Sequence, residues 1–148
     1  MTAAEHDRPP AAHLAVLHRA YLDAVLAGTK TVEARLTQNR SVPFGRIRPG
    51  DTVYLKQASG PVRAVAQAGA VRTFENLTPE RVDDIRLAHD HLIAGRPDYW
   101  QRKRDARYAT LIWLESPRPL QPSDPLPEMP TLHGSAWAVL GPAAHLLS

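Results

Sequence analysis

The sequence predicts a small α+β domain, built as a mixed or antiparallel β-barrel with peripheral helices. Short segments rich in β-branched and aromatic residues outnumber the helical ones, and most connections between them are too short for a parallel crossover. The chain has 148 residues, 43% of them hydrophobic, which supports one core rather than two. We expect one domain over residues 12–148, after a flexible, proline-containing tail at residues 1–11.

The composition excludes several classes of site and location. The sequence contains no cysteine, so it can form neither a disulfide nor a thiolate metal site. Its first residues show no signal peptide, and no stretch approaches the roughly 20 apolar residues of a membrane span. We therefore expect a cytoplasmic protein that does not contact membranes. The formal charge of +3 is too small by itself to indicate a nucleic-acid partner.

The first predicted elements are a strand and a helix. The apolar run at residues 13–17 favours a short buried strand. Apolar residues then recur at helical spacing over residues 18–27. Gly28 follows at the position where a left-handed residue commonly ends a helix.

A charged strand is predicted directly after this glycine. The β-branched residues at its start favour a strand over residues 30–36. Strict alternation would place Glu33 and Arg35 on one face and Lys30 on the other. A bend after Gly28 would instead allow the three charged groups to converge.

Turns rich in proline and glycine separate the next strands. The polar segment at residues 37–50 contains two prolines and two glycines, and we expect a loop there. The turn at residues 49–51 precedes a strand at residues 52–56. A second turn at residues 59–61 precedes a strand at about residues 62–74.

Two helices are expected in the second half of the chain. Thr78 is a suitable N-cap, and Pro79 suits the first helical position. This helix is expected to end at Ala94, and a shorter one to begin at Pro97. Strands are then predicted at residues 108–114 and, last, at residues 136–140.

The segment between these last two strands is rich in proline. Because residues 117–130 lack many of the backbone donors that regular structure needs, we expect no regular structure there.

The segment Gly28-Thr29-Lys30-Thr31-Val32-Glu33-Ala34-Arg35 contains the pattern G-x-K-x-x-E-x-R. It resembles the signature of the ASCH family, whose fold is similar to the PUA domain, a small RNA-binding β-barrel. The flanks agree with this family in the preceding helix, in the turn at residues 49–51 with its strand ending at Lys56, and in the late Trp137. The resemblance covers about residues 13–140 and implies a PUA-like barrel.

This resemblance also implies a set of functions. It implies an RNA- or nucleotide-binding domain, and some similar ASCH proteins cleave single-stranded RNA. Another branch is an amidohydrolase that removes the acyl group of N4-acetylcytidine, using a Lys, a Thr three residues later and a Glu further on. Lys30 matches that Lys, but Glu33 stands in place of the Thr. A third interpretation is a non-catalytic interaction module for transcription or translation, recruiting a partner through its proline-rich segment.

Four residues are candidates for catalysis. Lys30 could contact a phosphate, or act as a base if desolvation lowers its pKa. Glu33 could move a proton or hold a neighbouring arginine. Lys56 and Tyr108 stand on predicted strands with their polar groups in reach of a cleft. The alternative is an ordinary surface ladder of ion pairs, which contributes little to stability.

Cations and aromatic residues suggest a surface for nucleic acid. Between residues 30 and 48, five basic residues face one acid, and such a patch suits phosphate binding. Further on, aromatic residues that can stack on unpaired bases alternate with cations, although the same aromatics could simply pack in the core. The candidate nucleic-acid-binding residues are Arg35, Arg40, Arg46, Arg48, Tyr99, Trp100 and Lys103. The expected partner is single-stranded RNA or a nucleotide.

No metal or cofactor is expected. His89 and His91 are two residues apart on a predicted helix, where their side chains point in different directions. The sequence also lacks a glycine-rich phosphate loop and a nucleophile elbow.

Overall fold

A computed structural model describes residues 9–142. The strands and helices in chain order are β1 (Ala11–Leu17), α1 (Arg19–Ala27), β2 (Val32–Thr37), β3 (Thr52–Gln57), β4 (Val62–Phe74), α2 (Pro79–Ile93), α3 (Pro97–Arg102), β5 (Tyr108–Pro119) and β6 (Trp137–Pro142). The prediction of a small α+β fold, with a curved mixed sheet and peripheral helices, is confirmed.

The strands form one mixed sheet in the order β2-β5-β4-β3-β1-β6. The pair β1–β3 is parallel, and its connection is long enough because it includes α1 and β2. The other pairs are antiparallel. The sheet curls into a half-barrel whose two edge strands are β2 and β6.

Three apolar clusters hold the sheet and helices together. One packs α1 against the middle of the sheet around Leu22 and Val25. A second packs α2 and α3 against β2 and β5 and includes the fully buried Trp100. The third covers Leu14 and Tyr54 with apolar residues from the segment between β5 and β6, including Leu120 and Leu132. That segment therefore packs on the sheet in the described structure.

The expectation that regular structure stops before residue 117 is wrong at the end of β5. This strand continues to Pro119, where it pairs with Ala64 of β4. The register of the pair shifts near residue 66, and Ser116 adopts a left-handed conformation with φ of 50°. Such a bulge accommodates Pro117 because a bulged residue needs no ladder hydrogen bond.

The predicted tail at residues 1–11 lies mostly outside the described residues. Ala11 opens β1, and its N–H donates to the carboxylate of Asp51 at 2.9 Å. Within residues 9–142, no helix is both long and apolar enough to cross a membrane.

Candidate functional site

A cleft of about 440 Å³ opens beside the free edge of β2. The end of β1, the start of α1, α3 and the residues just before β6 complete its walls. Here the curled sheet leaves β2 without a strand partner on one side, so that side chains rather than a ladder span the gap. The charged signature residues predicted from the sequence line this cleft.

Lys30 converges with the acid of the signature, as the bend after Gly28 allows. Gly28 ends α1 with φ of 83°, and Lys30 lies in the turn before β2 rather than in the strand. Its side chain is only 3% exposed. Nζ donates to Val32 O at 2.9 Å and Ile93 O at 2.7 Å, and it lies 3.3 Å from Glu33 Oε1. These contacts occupy all three ammonium protons, so the geometry suits a positioning role for Lys30.

Glu33 is held as a carboxylate between two cations. Its Oε1 accepts from the N–H of Ala34 at 3.1 Å, and its Oε2 accepts from Arg35 Nη2 at 3.0 Å. Burial acts to raise the pKa of Glu33, but the charges and hydrogen bonds of Lys30 and Arg35 outweigh it and lower the pKa below its ordinary value. The carboxylate is therefore ionised at neutral pH and is a weak proton acceptor.

Arg35 spans the open side of the half-barrel. Besides Glu33, it donates to Val16 O at 2.9 Å and to Ala136 O at 3.2 Å. Its guanidinium lies 5.2 Å from the centroid of the Trp137 ring. Three of its five N–H groups are thus engaged, and the other two have no hydrogen-bond partner within residues 9–142.

Two buried hydrogen bonds connect Trp137 to His13 and, through it, to Asp51. Trp137 Nε1 donates to His13 Nδ1 at 3.1 Å, and His13 Nε2 donates to Asp51 Oδ2 at 2.8 Å. The donor and acceptor roles of His13 follow from its partners, since an indole N–H can only donate. Burial acts to raise the pKa of Asp51, but hydrogen bonds from His13 and two backbone N–H groups lower it.

Lys103, another of the predicted binding residues, lies in the wall of the cleft. It is half-buried in the cleft wall, and its ammonium makes no hydrogen bond or ion pair with another residue in the range 9–142. Burial lowers the pKa of Lys103, and the nearby charges of Arg102 and Arg35 lower it further. A half-buried cation without a counter-charge is a suitable site for an anion.

The two predicted aromatic residues of α3 occupy different environments. Tyr99 lines the cleft and donates its hydroxyl to Ala34 O at 3.1 Å. Burial, and then the charge of Glu33, raise the pKa of Tyr99. Trp100 is 1% exposed and donates to Asp90 Oδ1 at 2.9 Å, so it packs α3 onto the core.

The remaining predicted residues do not line the cleft. Lys56 donates to Gln57 O at 3.2 Å on β3. The ring centroid of Tyr108 lies 5.4 Å from that of Phe44 and 5.5 Å from the Arg40 guanidinium. Arg40 also pairs with Glu75 at 3.2 Å, and the half-exposed to exposed Arg46 and Arg48 stand further along the same loop.

Sequence reasoning missed some residues that line the cleft. His18, Tyr21 and Ser135 contribute to its walls together with the predicted residues. No spacing in the sequence links Ser135 to the signature, because the two meet only through the pairing of β6 with β1. In the part of the chain described, no group of three His, Asp or Glu residues could hold a metal ion.

The chain is similar to known proteins in structure but not in sequence. No protein-family profile and no curated protein matches the sequence. A crystal structure of ASCH from Zymomonas mobilis superposes with a TM-score of 0.58 at 17% identity, covering 74% of this chain and 71% of that one. A serine-to-alanine mutant of that protein gives 0.60 at 15% identity over 87% of both chains, and a tyrosine-to-phenylalanine mutant gives 0.57 at 17% identity over 75% and 76%.

Proposed function

Because the chain has the fold of ASCH domains, we propose that its cleft binds single-stranded RNA or a nucleotide through a phosphate group. The observation that carries this proposal is Lys103, a half-buried cation beside Arg35 that has no counter-charge among the described residues. The likeness in fold supports the proposal only in outline, since one fold hosts many functions.

The charge of the cleft favours an anionic ligand. Four lysine and arginine residues line it, against one carboxylate, Glu33. Lys30 and Arg35 together neutralise that carboxylate and leave one positive charge over, and Arg102 and Lys103 add further positive charge to the lining. A phosphate placed there would gain attraction without competing with a buried ion pair.

The size and lining of the cleft suit a nucleotide. Its volume of about 440 Å³ lies within the range of roughly 300–1,000 Å³ that is usual for small-ligand sites. Tyr21, Tyr99 and Trp137 line the same space. Aromatic faces beside cations provide the combination that binds unpaired bases.

The contribution of Lys103 can be tested by binding. We expect Lys103→Ala to weaken binding of a labelled single-stranded RNA hexamer by about fivefold to tenfold at low salt, because one phosphate contact is lost. The slope of log affinity against log salt should become shallower by about 0.7 for this one contact. Fluorescence anisotropy over a salt series measures both quantities.

Arg86→Ala is the matched control, since it also removes one positive charge but from the exposed surface of α2. This control should bind like the unmodified protein. Equal losses in the two variants would mean that only net charge matters. Binding that does not respond to salt at low ionic strength would contradict the proposal.

Cleavage of single-stranded RNA is a second candidate function, and the lowered pKa of Lys103 favours it. A lysine whose pKa is lowered is a better general base than an ordinary one, and it could take the proton of a ribose hydroxyl. The two N–H groups of Arg35 that have no partner within residues 9–142 could stabilise charge on the attacked phosphate.

Amidohydrolysis of N4-acetylcytidine is less favoured as a function. Glu33, which lies between two cations, stands where that branch has a Thr, and it supplies no hydroxyl nucleophile.

The cleavage hypothesis predicts a pH profile. Incubation with end-labelled RNA should give products whose rate rises with pH as Lys103 loses its proton, because only the neutral amine accepts one. Lys103→Ala should reduce the rate by about 100-fold or more, whereas Arg86→Ala should not change it. Equal rates in both variants would assign the activity to another site or to a contaminant.

A further inference from the structure

A basic and aromatic surface adjoins the cleft without forming part of its lining. It consists of the Arg40 guanidinium and the rings of Phe44 and Tyr108, and we call it the loop platform. The guanidinium carbon lies 5.9 Å from the centroid of the Phe44 ring and 5.5 Å from that of the Tyr108 ring. The two ring centroids are 5.4 Å apart. Both rings are half-buried, so together they support the guanidinium from one side.

The loop platform is continuous with the cleft at two points. Thr37 lines the cleft and pairs across the sheet with Tyr108. Ser41 and Val42 line the cleft as well, and they directly follow Arg40 in the chain. Because paired strand residues have Cα atoms about 5 Å apart, the platform begins one residue beyond the cleft wall. A strand longer than the cleft can therefore reach it.

Arg40 is restrained but accessible. Its side chain is 63% exposed, and its Nη2 pairs with Glu75 Oε1 at 3.2 Å. The Glu75 side chain is itself 48% exposed, so this ion pair contributes little and occupies only one edge of the guanidinium. The face directed away from the two rings is open to solvent. A planar cation presented in this way can stack on an unpaired base.

The loop that carries the platform is uniformly basic. Residues 38–50 include Arg40, Arg46 and Arg48 and no acidic residue. Arg46 and Arg48 form no ion pair within residues 9–142. Attraction between exposed charges extends over about 10 Å at 0.1 M salt, so these arginines favour a phosphate chain that leaves the cleft in this direction.

We propose that the loop platform binds a second nucleotide of the single strand whose first nucleotide occupies the cleft. This inference rests on the proposed function and extends the same site beyond the cleft. The base of the second nucleotide stacks on the Arg40 guanidinium, and the arginines of the loop attract its phosphate. Every base has a face that can stack, so we expect little base preference at this position.

The substitution Arg40→Lys tests the stack at constant charge. Lysine keeps the positive charge but lacks the planar group. We expect this variant to bind the labelled single-stranded RNA hexamer about fivefold or more weakly, because one base stack is lost. Fluorescence anisotropy at one low salt concentration measures the change. Arg86→Lys is the matched control, since it makes the same substitution on the exposed surface of α2 and should bind normally.

The two phenylalanines of the chain allow a second test with an internal control. Phe44 belongs to the platform, whereas Phe74 packs with the apolar cluster of α2 and α3, 5.1 Å from the Arg72 guanidinium. In protein labelled with 4-fluorophenylalanine, the Phe44 signal can be assigned by its absence in Phe44→Leu. This ¹⁹F signal should move as the hexamer saturates the protein, and the Phe74 signal should stay in place. A Phe44 signal that does not move at saturation would overturn the inference.

The outcomes separate this inference from the proposed function. Unchanged affinity for the hexamer in Arg40→Lys, together with a loss in Lys103→Ala, would overturn the platform and leave phosphate binding in the cleft intact. Equal losses in Arg40→Lys and Arg86→Lys would also overturn it, because the effect would then not depend on the platform. If the unmodified protein does not bind the hexamer at all, the proposed function itself fails.

Discussion

Replacing Lys30 with Met is expected to destabilise the protein by about 3–5 kcal/mol, because it removes one partner from a buried ion pair. Lys30 and Glu33 are 3% and 6% exposed, so water cannot replace the lost contact. The substitution also leaves Val32 O and Ile93 O without the donor that satisfies them. Urea unfolding at neutral pH, followed by circular dichroism, gives the change in the free energy of unfolding.

The destabilisation should depend on pH in a defined direction. The folded-state pKa of Glu33 is lowered from its ordinary value of 4.5, so its ionised form contributes stability above pH 4.5. That contribution is lost as the pH falls through the lowered pKa. Without Lys30 the pKa of Glu33 rises, because burial then acts against fewer opposing charges. The gap in stability between the two proteins should therefore narrow below pH 4.5.

Two further variants test whether the loss of the buried ion pair causes the destabilisation of Lys30→Met. Lys30→Met combined with Glu33→Gln should recover about 1–2 kcal/mol relative to Lys30→Met alone, because position 33 then no longer buries a charge that has lost one of its two cations. Lys56→Met removes a half-exposed lysine with a single backbone partner and should change stability by less than about 0.5 kcal/mol. Similar losses in Lys30→Met and Lys56→Met would contradict the role assigned to the buried pair.

The sequence predicted the elements of this fold well because each has a local signal. The helix stop at Gly28, the cap at Thr78 and the prolines at the starts of α2 and α3 all act within one helical turn. The continuation of β5 through Pro117 was missed because a bulge depends on the partner strand. The mixed sheet was expected only as one of two options, since the parallel pairing of β1 with β3 joins segments about 40 residues apart.

The site was predicted less completely than the fold. The motif identified Lys30, Glu33 and Arg35, but alternation alone could not show that Lys30 turns back toward Glu33. The local charge excess grouped Arg40 with the site, yet its guanidinium lies over the Phe44 and Tyr108 rings outside the cleft. Local charge density describes a segment of chain, whereas a cleft is assembled from segments distant in sequence.

The contact between Arg35 and Trp137 is another feature of the site that local sequence patterns could not predict. Arg35 reaches Val16 O and Ala136 O across the gap, and the Trp137 ring lies beneath its guanidinium. Trp137 in turn is oriented by His13, which is fully buried. His13 and Trp137 are 124 residues apart in the chain, so no pattern in the sequence could pair them.

Replacing His13 with Phe is expected to destabilise the protein by about 3 kcal/mol. The change leaves the buried Trp137 Nε1–H without an acceptor and removes one donor from the Asp51 carboxylate. A buried polar group that loses its partner costs roughly 1–3 kcal/mol. Urea unfolding at neutral pH measures the loss, and near-ultraviolet circular dichroism reports on the indole environment.

A double-mutant cycle with Trp137→Phe isolates the hydrogen bond between the two rings. Each single variant leaves one buried polar atom unpaired, whereas the double variant removes both, so it should be less destabilised than the sum by about 1–2 kcal/mol. Trp113→Phe is the matched control, because Trp113 lies on β5 and packs against His89, and its effect should add to that of His13→Phe. Additive losses for His13 and Trp137 as well would mean that the indole is held by packing alone. A coupling seen only with Trp137 would show that the hydrogen bond to His13 holds the indole ring beside which Arg35 lies.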